Sequence, residues 1–382
     1  MSGEVRQNTG VATGVIAVAP TATESASDPA YNTNPEDTGA EWHNTTTGEI
    51  FICNDNTTDN NLWVGQKGTR ISTTRALFGG GYGNPGSGNA NMRSIDYFII
   101  DTIGNASDFG DLVPMDGAPV YALCGSDNGT NGRGLFLGGS ASPGGVYMDT
   151  IQYVNIASTG GADTFGYMSQ GLFGPGACSN ATNDRVCRAG GVTQPWATSN
   201  VIEYVTATSL GNVTDLGNLT FANYGCNGLS NGTNDRAVIG MGSSSVAMDY
   251  FTISTTGNAS DFGDVTAGST GYSAAFSNGT DERGIFAGGT ENDEINYITI
   301  TTPANATDFG DLSTPTDWTV GTSSGSVGGR GLIALGYLAA PNPVGACNIV
   351  EYITISSTGN STDFGDFTGT KQASGGCSNS MT

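Results

Sequence analysis

Histidine is nearly absent from this 382-residue chain; the single one is His43. Lysine occurs twice, as Lys67 and Lys371, and charged residues make up only 12%, about half the share near 25% usual in soluble domains. One histidine excludes a histidine-ligated zinc or copper centre and a Ser-His-Asp triad over the rest of the chain. Twelve bases against 35 acids, a net charge of −23, leave no basic patch for nucleic acid or anionic lipid. No run of eighteen apolar residues is present, so membrane insertion by a helix is not expected. The seven cysteines are Cys53, Cys124, Cys178, Cys187, Cys226, Cys347 and Cys377, with no C-x-x-C among them. Cys124, Cys178, Cys226 and Cys377 stand at like places along the chain and are expected as small buried thiols, compatible with assembly in a reducing cytoplasm. The first twenty residues carry one base, Arg6, and lack the compact apolar segment of a signal peptide.

Glycine is abundant instead, at 60 residues, and one phrase recurs six times. An aromatic strand, centred on Tyr97, Tyr153, Tyr204, Tyr250, Tyr297 and Tyr352, is followed twelve residues later by Phe109, Phe165, Leu216, Phe262, Phe309 and Phe364, mostly within Asp-Phe-Gly-Asp. The tyrosines are 56, 51, 46, 47 and 55 residues apart. A period near 50 built from strands and glycine turns predicts a β-propeller. Each unit offers four strands: a small-residue strand, an arginine-led strand ending in glycines, the tyrosine strand, and the Asp-Phe-Gly-Asp strand. The first unit starts at its second strand, Arg75–Gly80, and the last ends on a first-type strand, Gly375–Asn379. Joined, they complete one blade. The expectation is an all-β chain with a six-bladed propeller over 74–382, closed by the C-terminal strand.

Ahead of the repeats, residues 1–40 are rich in Thr, Ala, Asn and Pro and read as an extended arm. Residues 41–73 read as a small β-hairpin module and linker. Asn44-Thr45-Thr46-Thr47-Gly48 supplies its turn, and Trp42 and Trp63 clamp one face.

A strand ending in Gly-Gly, a tyrosine strand and then an aromatic strand resemble the Kelch repeat, with Phe where Kelch usually has tryptophan. Ile298-Thr299-Ile300 with Asn305-Ala306-Thr307-Asp308-Phe309-Gly310-Asp311 resembles repeat proteins encoded by marine bacteriophages. Trp42-His43-Asn44-Thr45-Thr46-Thr47-Gly48-Glu49-Ile50-Phe51 is similar to a module of phage tail-fibre proteins. Together the resemblances cover 41–382. They imply a virion-associated tail fibre or tail-tip adhesin, assembled in the host cytoplasm as a homo-oligomer. Its N-terminus, with Trp42 and Trp63, would dock to other tail proteins, and the propeller loops would bind a host surface glycan or protein. The rival readings are a structural decoration or connector protein, a glycan depolymerase, and a secreted Kelch-type lectin.

Arg75, Arg133, Arg185, Arg236, Arg283 and Arg330 share one phase of the repeat. Asp108, Asp215, Asp261, Asp308 and Asp363 precede the Phe or Leu, with Asp163 displaced by one. Bidentate Arg–Asp contacts between strands or blades are the expected pairing, a structural role. Asp-Phe-Gly recurs without a phosphate loop, so a kinase reading fails. The paired aspartates and the Asn-x-Ser/Thr sequons are read as turn chemistry, not calcium or glycan sites. No catalytic residue, metal or cofactor is expected, and the protein is read as a non-enzyme. Repeat length varies chiefly between the second and third strands. The long loops there, Tyr82–Ser94, Ala141–Asp149, Val192–Asn200 and Tyr337–Asn348, carry Tyr82, Tyr147, Trp196 and Tyr337, candidate platforms for stacking on sugars.

Overall fold

A computed structural model describes residues 22–30, 32–56, 58, 61–66, 70–71, 74–84, 90–113, 120–127, 132–141, 145–180, 183–240, 242, 245–266, 271–325, 329–339 and 345–379. The arm residues 1–21, the turn at 128–130 and parts of three long loops lie outside them. The chain divides into two compact units, 1–73 and 74–382.

The first unit holds a five-stranded sheet in sequence order: Thr23–Ser25, Glu41–Asn44, Ile50–Asp55, Leu62–Gly65 and Arg70–Ile71. Its turn forms because Asn44 Oδ1 accepts the N–H groups of Thr46 and Thr47 at 2.8 and 3.0 Å, while Gly48 takes φ +68°. The expected boundary at residue 40 is corrected. Thr23–Ser25 pairs in parallel with Trp42–Asn44, and Trp42 Nε1 donates to the Ser27 carbonyl at 2.8 Å. An exposed strand added through main-chain groups needs no apolar alternation, so composition did not mark it. Trp63 is buried with Phe51 and Cys53, edge-on to Trp42 at 6.1 Å. In this fold Trp63 serves the small core and presents no docking surface.

The second unit is all-β, with no α-helix among the described residues. Its described residues form six antiparallel sheets built on one four-strand plan. Sheet 2 runs Cys124–Asp127, Arg133–Leu137, Thr150–Asn155, Asp163–Tyr167, in order from its inner to its outer strand. Sheets 3 to 6 repeat this with inner strands Gly176–Asn180, Asn227–Ser230, Ala274–Ser277 and Val320–Ser323. Sheet 1 takes its inner strand, Gly375–Ser378, from the far end of the sequence, paired with Ala76–Gly79. Inner strands of successive sheets lie side by side, and that of sheet 1 contacts those of sheets 2 and 6. The arrangement is β-propeller-like. The arginine-led strands are buried behind their first residue, because both faces are covered by neighbouring sheets. Cores therefore form between sheets; one joins Ala76, Phe78 and Phe98 to Leu332, Val350 and Phe364.

The register gives each sheet two distinct ends. At the turn end of sheets 3, 4 and 5, the first and second strands meet through an asparagine whose side chain accepts the arginine main-chain N–H: Asn180 for Arg185, Asn231 for Arg236, Asn278 for Arg283; in sheet 6 the Ser324 hydroxyl accepts from Arg330 at 3.0 Å. Asn379 does the same for Arg75 at 2.7 Å, across the break in the chain. At the connection end lie the links from one sheet to the next and the long loops between second and third strands. Those loops add short hairpins, such as Val146–Tyr147 on Ser140–Ala141. All seven cysteines are free, and burial pushes the Cys124 and Cys226 thiols up to about 12.

Candidate functional site

The repeat arginines do not pair with the repeat aspartates as expected. Each guanidinium lies over the tyrosine of its own sheet, 3.9–5.1 Å from the ring centroid. Each also donates to a main-chain carbonyl of the following sheet. Arg75 reaches Ile156, Arg133 Ala207, Arg185 Ile253, Arg236 Ile300 and Thr301, Arg283 Ile355, and Arg330 reaches Ile100 of sheet 1. Asp108, Asp163, Asp215, Asp261, Asp308 and Asp363 are exposed on the outer strands. The physical reason is that an outer strand has water on its far side, where a carboxylate stays solvated. The guanidinium sits between sheets, where carbonyls need a donor. Beneath five of the tyrosines the phenylalanine packs edge-on, as in Tyr297–Phe309 at 6.2 Å, while Leu216 stands in that place for Tyr204. The fixed spacing of twelve is thus an Arg–Tyr–Phe stack in five sheets and Arg–Tyr–Leu in the third. Arg283→Met is expected to cost about 2 kcal/mol, one charged hydrogen bond plus a ring contact. A melting temperature unchanged in a thermal scan would refute this.

Two more inter-sheet clasps repeat. The sequon asparagines Asn105, Asn212, Asn258, Asn305 and Asn360 each accept, at 3.1 Å, a main-chain N–H from the outer strand of the preceding sheet. The glycine of Asp-Phe-Gly-Asp makes room there; a Cβ on Gly263 would lie 2.6 Å from the Ala304 carbonyl. The residue before each tyrosine is a buried polar group: Asp96, Gln152, Glu203, Asp249, Asn296 or Glu351. In five sheets it accepts from the incoming connection, as Asp249 does from the Thr220 N–H at 2.7 Å. In the sixth, Glu203 takes Arg188 instead.

The sheets differ at the connection end. Ala122, Gly174, Gly225, Tyr272, Trp318 and Ala373, each two residues before an inner strand, all have φ between +52° and +64°. They hydrogen-bond round the axis: Ala122 N–H to Ala373 O, Gly174 to Ala122, Gly225 to Gly174, Tyr272 to Gly225. Four positions carry glycine or alanine and two carry large rings, at a backbone cost of about 1–2 kcal/mol per L-residue. Tyr272 and Trp318 stack with centroids 3.6 Å apart.

Around them gather Phe173, 5.9 Å from Trp318, and Tyr224, 6.2 Å from Tyr272. Tyr147 and Trp196 pack on Phe173, and Tyr121 joins Phe173 to Tyr82. Trp196 is 68% exposed and Tyr82 36%. Eight aromatic side chains thus form one face around the axis mouth. The recess at its centre measures about 70 Å³, as does the one at the turn end; Gly125, Ala177, Gly228, Ala275, Gly321 and Gly376 form the neck between them. That is far below the ~300 Å³ of a small-molecule pocket, so a ligand would lie over the rings, not down the axis. Burial holds the Tyr272 phenol well above its usual range, with Tyr224 and the Asp317 carboxylate adding to the effect. Burial likewise raises Asp317, whose Oδ1 accepts the Trp318 N–H at 2.8 Å.

Of the four loop aromatics expected from sequence, Tyr82, Tyr147 and Trp196 come together here. Tyr337 is half-buried, in a strand pairing with Asp317, next to Trp318. Sequence reasoning missed Tyr121, Phe173, Tyr224, Tyr272 and Trp318. Their shared place, two or three residues before each inner strand, was the available signal.

No protein-family model matches the chain, and no curated protein matches it. Among solved structures, the structure of YjhT is similar over 75% of this chain and 97% of its own, at 12% identity and a TM-score of 0.54. That likeness carries the β-propeller-like fold and nothing of function.

Proposed function

We propose that residues 74–382 are a six-bladed Kelch-like propeller, closed by Gly375–Ser378, in a virion-associated phage tail fibre or tail-tip adhesin. Closure is supported by the arginine bonds, which run from every sheet to the next and from sheet 6 back to sheet 1. The virion assignment rests on the sequence resemblances at 41–382. The observation that carries recognition is the aromatic face, which breaks the sixfold repeat at one end of the sheets. Thr74, where this unit begins, lies at the opposite, turn end, its carbonyl bonded to the Ile100 N–H. A binding face opposite the point of attachment suits an adhesin. Residues 1–73 would dock to other tail proteins, with half-buried Trp42 available and Trp63 not. The propeller would hold a host surface glycan or protein, weakly per site and strongly through many copies. No chemical step is assigned to it.

The test is adsorption of the full chain, displayed multivalently, to a panel of bacterial cells. The double substitution Tyr82→Ala, Trp196→Ala is expected to cut adsorption at least tenfold while leaving the melting temperature within a few degrees, since both rings are exposed. Adsorption equal to the parent would move the protein to the structural, connector class.

A further inference from the structure

Within the adhesin reading, we propose that the aromatic face binds a cationic amine, a quaternary ammonium group of the choline type carried on a host surface polymer, and rejects anionic sugars. Three observations on the face point the same way. The first is what the rings offer. Aromatic faces carry negative electrostatic potential and attract ammonium groups, most strongly when partly desolvated. Two of the rings, Tyr272 and Trp318, are held at the axis mouth by left-handed backbone that their neighbours fill with glycine or alanine.

The second is the lack of counter-charge for an anion. Residues 74–382 contain nine bases. Six are the repeat arginines, held between sheets by carbonyls and tyrosines at the turn end. Arg188 is buried against Glu203, and Lys371 against Asp96. Arg93, half-buried, closes the Tyr82–Ser94 loop beside the third strand of sheet 1, its carbonyl bonded to the Leu112 N–H. None of the nine lines the recess. The carboxylate next to its rim is Asp317, half-buried, whose Oδ1 accepts the N–H of the lining residue Trp318. The chain's net charge of −23 adds long-range attraction for a cation.

The third concerns neutral sugars, which need side-chain donors to orient their hydroxyls. At the recess the Thr319 hydroxyl is engaged by the Tyr272 and Ala287 carbonyls, and Asn227 Nδ2 by Gly225 and Ser273. Beyond the tyrosine phenols and the Ser374 hydroxyl, what remains on offer is ring face and negative charge.

The experiment titrates the full chain with choline chloride, following tryptophan fluorescence and heat, with sodium chloride, glucose and N-acetylneuraminate as parallel arms. Choline is expected to bind saturably with a Kd on the order of millimolar, as for a single small cation on exposed rings. The other arms should give no saturable signal. Trp318→Ala and Tyr272→Gly should weaken choline about tenfold; the second variant reproduces the glycine found at position 225, so folding is preserved. Asp317→Asn keeps an acceptor for the Trp318 N–H and removes only charge; a roughly threefold loss is expected, shrinking at high salt. Choline should also compete with multivalent adsorption to cells. If glucose or N-acetylneuraminate binds and choline does not, the ligand class is overturned while the recognition face stands. If no probe binds and adsorption ignores the Tyr82, Trp196 double substitution, both the ligand and the adhesin reading fall.

Discussion

A chain lacking residues 375–382 is expected to be unfolded over 74–382 at temperatures where the parent is native. The strand Gly375–Ser378 is the inner strand of sheet 1 and is wholly buried. Its loss strips the main-chain partners from Ala76–Gly79 and removes Cys377, which is 2% exposed, from the core shared by sheets 1 and 2. It also removes the neighbour of two other inner strands. Four residues of ladder at about 1 kcal/mol per hydrogen bond, plus the lost burial, amount to several kcal/mol. Whole domains are stable by only about 5–15 kcal/mol, so the melting midpoint should fall by roughly 10 °C or more. A circular-dichroism melt and limited proteolysis are the readouts. A truncated chain melting with the parent would mean that sheet 1 does not need this strand, and the closed-ring proposal would go with it.

The second large effect is expected at the buried ion pairs. Arg188 Nη2 lies 2.6 Å from Glu203 Oε2, with side-chain exposures of 0% and 5%; Lys371 Nζ lies 2.7 Å from Asp96 Oδ2, both at 0%. Arg188 also donates to the Val201 carbonyl at 2.9 Å. Burial drives the pKa of both bases down, and the paired carboxylates oppose it. Arg188→Met or Lys371→Met strands a carboxylate in a dry site, at a cost of about 3–5 kcal/mol. Replacing both members, Arg188→Met with Glu203→Met, should recover most of that loss, because desolvation of the pair roughly cancels its attraction. A single substitution costing under about 1 kcal/mol by chemical denaturation would show that water reaches these sites.

The strand plan was legible in the sequence because its signals are local: an aromatic run, a Gly-Gly stop, an Asn turn. The arginine phase was legible too, but its partner was not. A main-chain carbonyl is the same in every residue and leaves no mark, whereas the conspicuous aspartates are conspicuous because they face water. Tyr82, Tyr147 and Trp196 could be picked out by variation in loop length. Tyr272 and Trp318 could not, since they are neighbours only around the axis, 46 residues apart in the chain. The role of Trp63 was misjudged for a similar reason: two tryptophans flanking a turn look alike until packing decides which of them is covered.

Arg75 and Asn379 meet just as Arg185 meets Asn180 within one unbroken hairpin. In the closed-ring proposal the unit is a loop of like segments cut at one turn. Where the cut falls is a matter of genetics more than of stability, because the turns at Asn180, Asn231 and Asn278 present the same clasp. Cargo added at residue 74 or 379 leaves from the turn end and keeps the tyrosine- and tryptophan-bearing face free. A permuted chain, resealed here and opened at another turn, would swing the point of tethering around the axis in steps of one sheet without altering what that face displays.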